Sequence, residues 1–118
     1  KNGNLDEVHF LVRNGANAKY IDRNLDETPL LKATERGYPQ IAKFLIKNKA
    51  DVNHDNLNGM SPLLMAIEKE KIELVKLLVS RQADLYHQNN QGYSSFLLAS
   101  KKGIMSIYQI VKGILLYS

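Results

Sequence analysis

The sequence predicts an all-α solenoid of stacked antiparallel helix pairs joined by short finger loops. Three observations lead there. The segments Thr28-Pro29-Leu30-Leu31-Lys32-Ala33, Ser61-Pro62-Leu63-Leu64-Met65-Ala66 and Ser94-Ser95-Phe96-Leu97-Leu98-Ala99 follow one another at intervals of 33 residues. The apolar runs beginning at Ile41 and Leu74 are also 33 residues apart. Ala50-Asp51-Val52 and Ala83-Asp84-Leu85 keep the same spacing, and Ala16-Asn17-Ala18 precedes them by 34. A fixed period of about 20–50 residues marks a stacked array rather than a closed globule.

Each unit reads the same way. Thr28 or Ser61 offers a side-chain oxygen at a helix N-cap, where it accepts from an otherwise unpartnered backbone N–H. Pro29 or Pro62 follows at the first helical position, where a missing N–H costs nothing. The short helix runs to about Gly37, whose freedom at positive φ suits a helix end. Pro39 opens a second helix carrying Ile41, Phe44 and Leu45 at helical spacing. A polar stretch follows, with Asn58-Gly59 and Gln91-Gly92 as turn signals.

These residues resemble ankyrin repeats, whose unit of about 33 residues opens D-G-x-T-P-L-H-x-A. The rear of the unit resembles G-x-L-E-I-V-x-L-L-L-x-x-G-A-D-V-N. Gly59-Met60-Ser61-Pro62-Leu63, Gly3-Asn4-Leu5-Asp6-Glu7-Val8 and Ala50-Asp51-Val52-Asn53 carry the likeness. It implies a single domain over residues 1–118: a partial leading repeat at 1–20, repeats at 21–54 and 55–87, and a divergent last repeat at 88–118.

Several positions depart from the pattern. Leu31, Leu64 and Leu97 stand where the family has His, so an apolar seam is expected instead of a hydroxyl–imidazole bond. Lys49 and Gln82 replace the helix-ending Gly that survives as Gly15, and Glu70 stands where Gly37 and Gly103 stand. If these positions keep positive φ, each costs on the order of 1 kcal/mol. The first finger has one extra residue, and Asp26 replaces its Gly. In the last unit Ser95 replaces Pro, and Lys112-Gly113 interrupts the second helix. The segment 104–117 is apolar around most of its circumference. Terminal repeats need a polar outer face, so this helix is expected either to pack on a further repeat, a second copy or a partner, or to wrap onto the preceding helix pair.

Composition removes several function classes. The chain has 118 residues, 44% hydrophobic and 24% charged, which suits one folded domain. Cysteine is absent, so disulfides, thiol nucleophiles and thiolate metal sites are excluded. No run approaches the roughly 18 apolar residues of a membrane span. The chain starts at Lys1 with no apolar leader and reads as a piece of a longer intracellular, cytoplasmic protein. His9, His54 and His87 read as finger residues, not as metal ligands. No phosphate-binding, zinc-protease or nucleophile-elbow motif occurs. No catalytic residue, cofactor or metal is therefore assigned, and the chain is read as no enzyme.

Net charge is +4, and residues 88–118 contribute Lys101, Lys102 and Lys112 with no acid. Nucleic-acid contact through Lys101/Lys102 is the resulting minor reading, but only this pair beside Tyr93 combines clustered charge with an aromatic, and Lys outnumbers Arg by 12 to 4. The resemblance implies instead a protein partner on the concave surface of finger tips and first helices. Carried onto this chain, that surface comprises Asn24, Leu25, Glu27, Glu35 and Arg36 in the first full repeat. The next contributes Leu57, Asn58, Met60, Glu68 and Lys69, and the last Asn90, Gln91, Tyr93, Lys101 and Lys102. Leu25, Leu57, Met60 and Tyr93 are apolar where turns are normally polar, and a contiguous apolar patch marks an interaction site. A scaffold or targeting module fits best. The alternative is a regulatory or substrate-recruiting ankyrin segment of a larger enzyme, which a catalytic motif in the full-length chain would reveal.

Overall fold

The computed structural model describes residues 27–117, with side chains as far as Gly113. The partial leading repeat, Asn24, Leu25 and Asp26 lie outside the described residues. Six helices follow in three pairs: α1 Pro29–Arg36 with α2 Pro39–Lys47, α3 Pro62–Glu68 with α4 Ile72–Ser80, and α5 Ser95–Lys102 with α6 Met105–Tyr117. The first helices α1, α3 and α5 form one layer, and α2, α4 and α6 the other. Helices of the first layer pack more closely on one another than those of the second. The stack therefore curves, with the first helices and their fingers on its inner side.

The caps form as the residues dictate. Thr28, Ser61 and Ser94 accept from the backbone N–H of Leu31, Leu64 and Leu97 at 3.1, 3.3 and 3.4 Å. Pro29, Pro39 and Pro62 each open a helix. Between the members of a pair the chain turns through a left-handed residue: Gly37 at φ 75°, Glu70 at 58° and Gly103 at 68°. After the second helices, Lys49 at φ 74° and Gln82 at 65° do the same. Each such turn closes the same two bonds, as where Ala50 N–H donates to Leu45 O and Lys49 N–H to Ile46 O, both at 3.0 Å. The conformation is demanded by the repeat, and three side-chain-bearing residues adopt it without glycine's freedom.

The core runs along the stack. Leu30, Leu63, Leu64, Ile67, Leu74, Leu78, Ile107 and Val111 are essentially fully buried. Ala33, Ala66 and Ala99, three equivalent residues, are all inaccessible, so the first helices approach closely there. The apolar seam forms where a following pair covers it: Leu31 is 0% and Leu64 1% exposed. Leu97, at the third equivalent position, is 52% exposed. Thr34 and Ile67 are likewise buried while their counterpart Ser100 is exposed. The helix α6 runs unbroken through Lys112-Gly113 for 13 residues, where the sequence suggests an interruption. Its Ile107 and Val111 fill the core, while Met105 stands exposed. No described helix is long and apolar enough to cross a membrane.

Candidate partner-binding groove

Two fingers are built alike from an asparagine. Asn56 Oδ1 accepts from Asn58 N–H at 2.9 Å and Met60 N–H at 3.1 Å. Asn89 Oδ1, 33 residues on, accepts from Gln91 N–H at 2.9 Å and Tyr93 N–H at 3.0 Å. A single carbonyl oxygen thus holds both sides of each turn, satisfying donors that the tight loop would otherwise orphan. Gly59 at φ 76° and Gly92 at φ 86° sit inside these turns. At Gly59 a Cβ would meet Asn90 N at 2.8 Å and Asn89 Cα at 2.9 Å, so glycine is needed there for space as well as for φ.

The fingers are also tied to one another. Asn90 N–H donates to Asn58 O at 3.0 Å, and Asn90 Nδ2 donates to Leu57 O at 2.7 Å. Asp84 N–H donates to Asn53 Oδ1 at 2.8 Å. The amide of Asn56 reaches back to Glu27 Oε2 at 2.9 Å, and that of Asn89 to Met60 Sδ at 3.5 Å. His87 Nε2 lies 2.9 Å from Gly59 O, which can only accept, so this nitrogen carries the proton. His87 also lies 3.3 Å from Asp55. His87 is therefore a half-buried inter-finger tie, more engaged than a finger residue read from sequence. The second oxygen of Glu27, Oε1, is buried and has no hydrogen-bond partner among the described residues.

Between these fingers and the first helices lies an open groove of about 470 Å³. Its apolar floor is Met60, Met65, Tyr93 and Leu98. Of the residues expected from sequence, Glu35, Asn58, Met60, Glu68, Lys69, Asn90, Gln91, Tyr93 and Lys101 line it together. Glu27 stands beside it through its bond to Asn56, which lines the groove. Arg36, Leu57 and Lys102 do not line it. Leu57 is 60% exposed outside the groove, whereas Met60 and Tyr93 are half-buried against the core. Four residues were missed: Asn56, Met65, Asn89 and Leu98. Their signal was present, since Asn56 pairs with Asn89 and Met65 with Leu98 at the 33-residue period.

The charges around the groove are unevenly paired. Lys102 Nζ lies 3.7 Å from Glu68 and 3.8 Å from Glu70, joining the second and third helix pairs. Lys32 lies 3.5 Å from Glu35. Lys101 Nζ sits over the Tyr93 ring, 4.6 Å from its centroid. No set of three or more His, Asp or Glu residues among those described could hold a metal ion.

The repeated cap, paired helices and interlocked fingers now have an independent counterpart. A family model described as ankyrin repeats (3 copies) matches residues 1–89. The chain belongs to the ankyrin-repeat family. Ankyrin repeats are generally protein–protein interaction modules and are typically not enzymes. The third helix pair extends the ankyrin stack beyond the matched stretch, with its cap at Ser94 and its buried Ala99 in register. Among curated proteins, alpha-latrotoxin-Lh1a from Latrodectus hasselti is 37% identical over 59 residues, covering 50% of this chain. The matched stretch spans 4% of that relative's length.

Proposed function

We propose that this ankyrin domain, one unit over residues 1–118, is a scaffold or targeting module that takes a protein partner in the groove. One observation carries the reading. The groove joins finger residues Asn58, Met60, Gln91 and Tyr93 to first-helix residues Glu68, Lys69 and Lys101 on one concave face. Its floor is apolar and its rim polar, the arrangement of a recognition surface. The fingers are cross-tied by backbone and amide bonds, so little ordering entropy remains to oppose association. Nucleic-acid contact is less favoured, because Lys102 is held by two carboxylates and Lys101 covers Tyr93, the one aromatic among the described lining residues. The lack of cysteine suits a cytoplasmic setting.

A photo-crosslinking residue placed at Gln91, on the rim, tests the reading against one at Lys76, exposed on the outer layer in α4. Protein adducts formed in cell lysate from Gln91 and not from Lys76 are expected. Equal adducts from both would refute the groove. An adduct with a catalytic domain of the same polypeptide would replace a separate partner by the regulatory-segment reading.

A further inference from the structure

We infer that the groove selects an acidic, extended protein segment: an apolar side chain flanked by Asp or Glu. The inference rests on the groove being the binding surface and adds the partner's chemistry. Counted by residue type, the rim is neutral, with Glu35 and Glu68 against Lys69 and Lys101. Counted by pairing, it is positive. Glu35 is paired with Lys32, and Glu68 with Lys102, and neither of those lysines lines the groove. The two rim ammonium groups have no such neutralisation. Lys69 has no ion-pair partner among the described residues. Lys101 contacts the face of Tyr93, a partner without net charge. An incoming carboxylate therefore meets two lining cations without an ion-pair partner among the described residues, while each lining carboxylate has one; Glu27, with Oε1 unpartnered among the described residues, stands beside the groove and does not line it.

The rest of the lining fits a peptide. The side-chain amides of Asn58 and Gln91 line the groove and have no hydrogen-bond partner among the described residues. Each offers a donor and an acceptor, as a peptide backbone requires. The volume of about 470 Å³ accommodates a few side chains rather than a folded surface, and Met60 and Met65 adapt to an apolar one. A nucleic-acid strand shares the negative charge, but the aromatic face it would need for base stacking, that of Tyr93, is covered by Lys101.

Affinity selection of a random-peptide phage library on the intact protein tests this, run beside Lys69→Glu/Lys101→Glu and Gln91→Trp. Both lysines and Gln91 are exposed, and circular dichroism verifies each fold. The expected peptides carry Asp or Glu next to an aromatic or aliphatic residue. They lose about tenfold or more in affinity to the charge-reversed protein, which selects Lys- or Arg-containing peptides instead. Should charge reversal unfold the protein, Lys69→Gln/Lys101→Gln with a smaller loss serves. Peptides blocked by Gln91→Trp but without acidic preference overturn this inference and leave the groove reading intact. Peptides indifferent to Gln91→Trp, or no selected peptide at all, overturn both. Displacement of the peptides by oligothymidine with a steep salt dependence would overturn it in favour of nucleic acid.

Discussion

Replacing Lys49 or Gln82 by glycine should stabilise this protein, although each substitution removes a side chain. Both residues sit at positive φ, 74° and 65°. A side-chain-bearing residue in that region carries about 1–2 kcal/mol of steric cost. Glycine avoids the cost but brings roughly 0.5–1 kcal/mol of extra unfolded-state entropy. The difference leaves a gain of about 0.5–1 kcal/mol for each. Neither side chain makes an interaction in the described residues that its loss would forfeit. Glu70, at φ 58°, should gain less, because it lies 3.8 Å from Lys102. Such an exposed pair contributes up to about 1 kcal/mol, and Lys102 retains Glu68. Urea unfolding measures the effect as a shift of midpoint at constant slope. With a slope of about 2 kcal/mol/M, each of Lys49→Gly and Gln82→Gly moves the midpoint up by about 0.3–0.5 M. Lys49→Ala is the decisive control. It removes the side chain but keeps the Cβ, so the backbone cost stays and the midpoint should barely move. Equal shifts for Ala and Gly would refute the backbone account, and so would a loss of stability on Lys49→Gly.

The remaining expectations concern the core, the fingers and the glycine turns, and the same unfolding measurement reads them. Leu64→Ala should cost about 2–5 kcal/mol, whereas Leu97→Ala, at the equivalent but half-exposed position, should cost under about 1 kcal/mol. Similar losses would mean that Leu97 is covered as Leu64 is. Asn56→Ala should cost about 1–3 kcal/mol, because two backbone donors and Glu27 Oε2 lose their partner at a buried position. A neutral result would deny the asparagine its part in holding the finger. Gly59→Ala should be more harmful than Gly37→Ala. At Gly59 the new Cβ meets backbone at 2.8 Å, while at Gly37 it meets the movable end of Lys71 at 2.9 Å. The reverse order would show that the fingers yield more readily than their cross-ties imply.

Much of the stack was legible because its determinants recur. Thr28, Ser61 and Ser94 are capping residues whose chemistry is local, and the register they set predicts α1, α3 and α5 before any contact is known. The positive φ of Lys49, Glu70 and Gln82 was legible for the same reason, since glycine stands at equivalent positions. The groove was legible in outline through the fingers and first helices. What escaped was the work done between repeats. Asn56 and Asn89 read as two more polar turn residues. Their value depends on one oxygen serving two donors and one amide crossing to the preceding finger, a geometry that periodicity does not contain. The place of Leu57 was not legible for the converse reason. An apolar turn residue signals an unusual position but not its direction, and Leu57 is exposed without lining the groove that Met60 and Tyr93 help to form.

The third helix pair shows which features a stack needs to continue. The matched family stretch ends at residue 89, yet α5 and α6 occupy the next place in the array. Ser95 has replaced the helix-opening Pro, and its hydroxyl donates instead to Leu85 O at 2.8 Å. The cap at Ser94, the inaccessible Ala99, and the buried Ile107 and Val111 are kept. Those positions face the preceding pair. The positions that diverge, Ser100 for Ile67 and Lys112 for Val79, are buried in the second pair and exposed in the third. Ser100 and Lys112 are thus polar where nothing described packs on them, although Leu97 stays apolar on that side and Ser95 replaces Pro at a buried position. The inward side keeps the requirements of the stack, and it is the inward side, through Tyr93 and Leu98, that completes the groove.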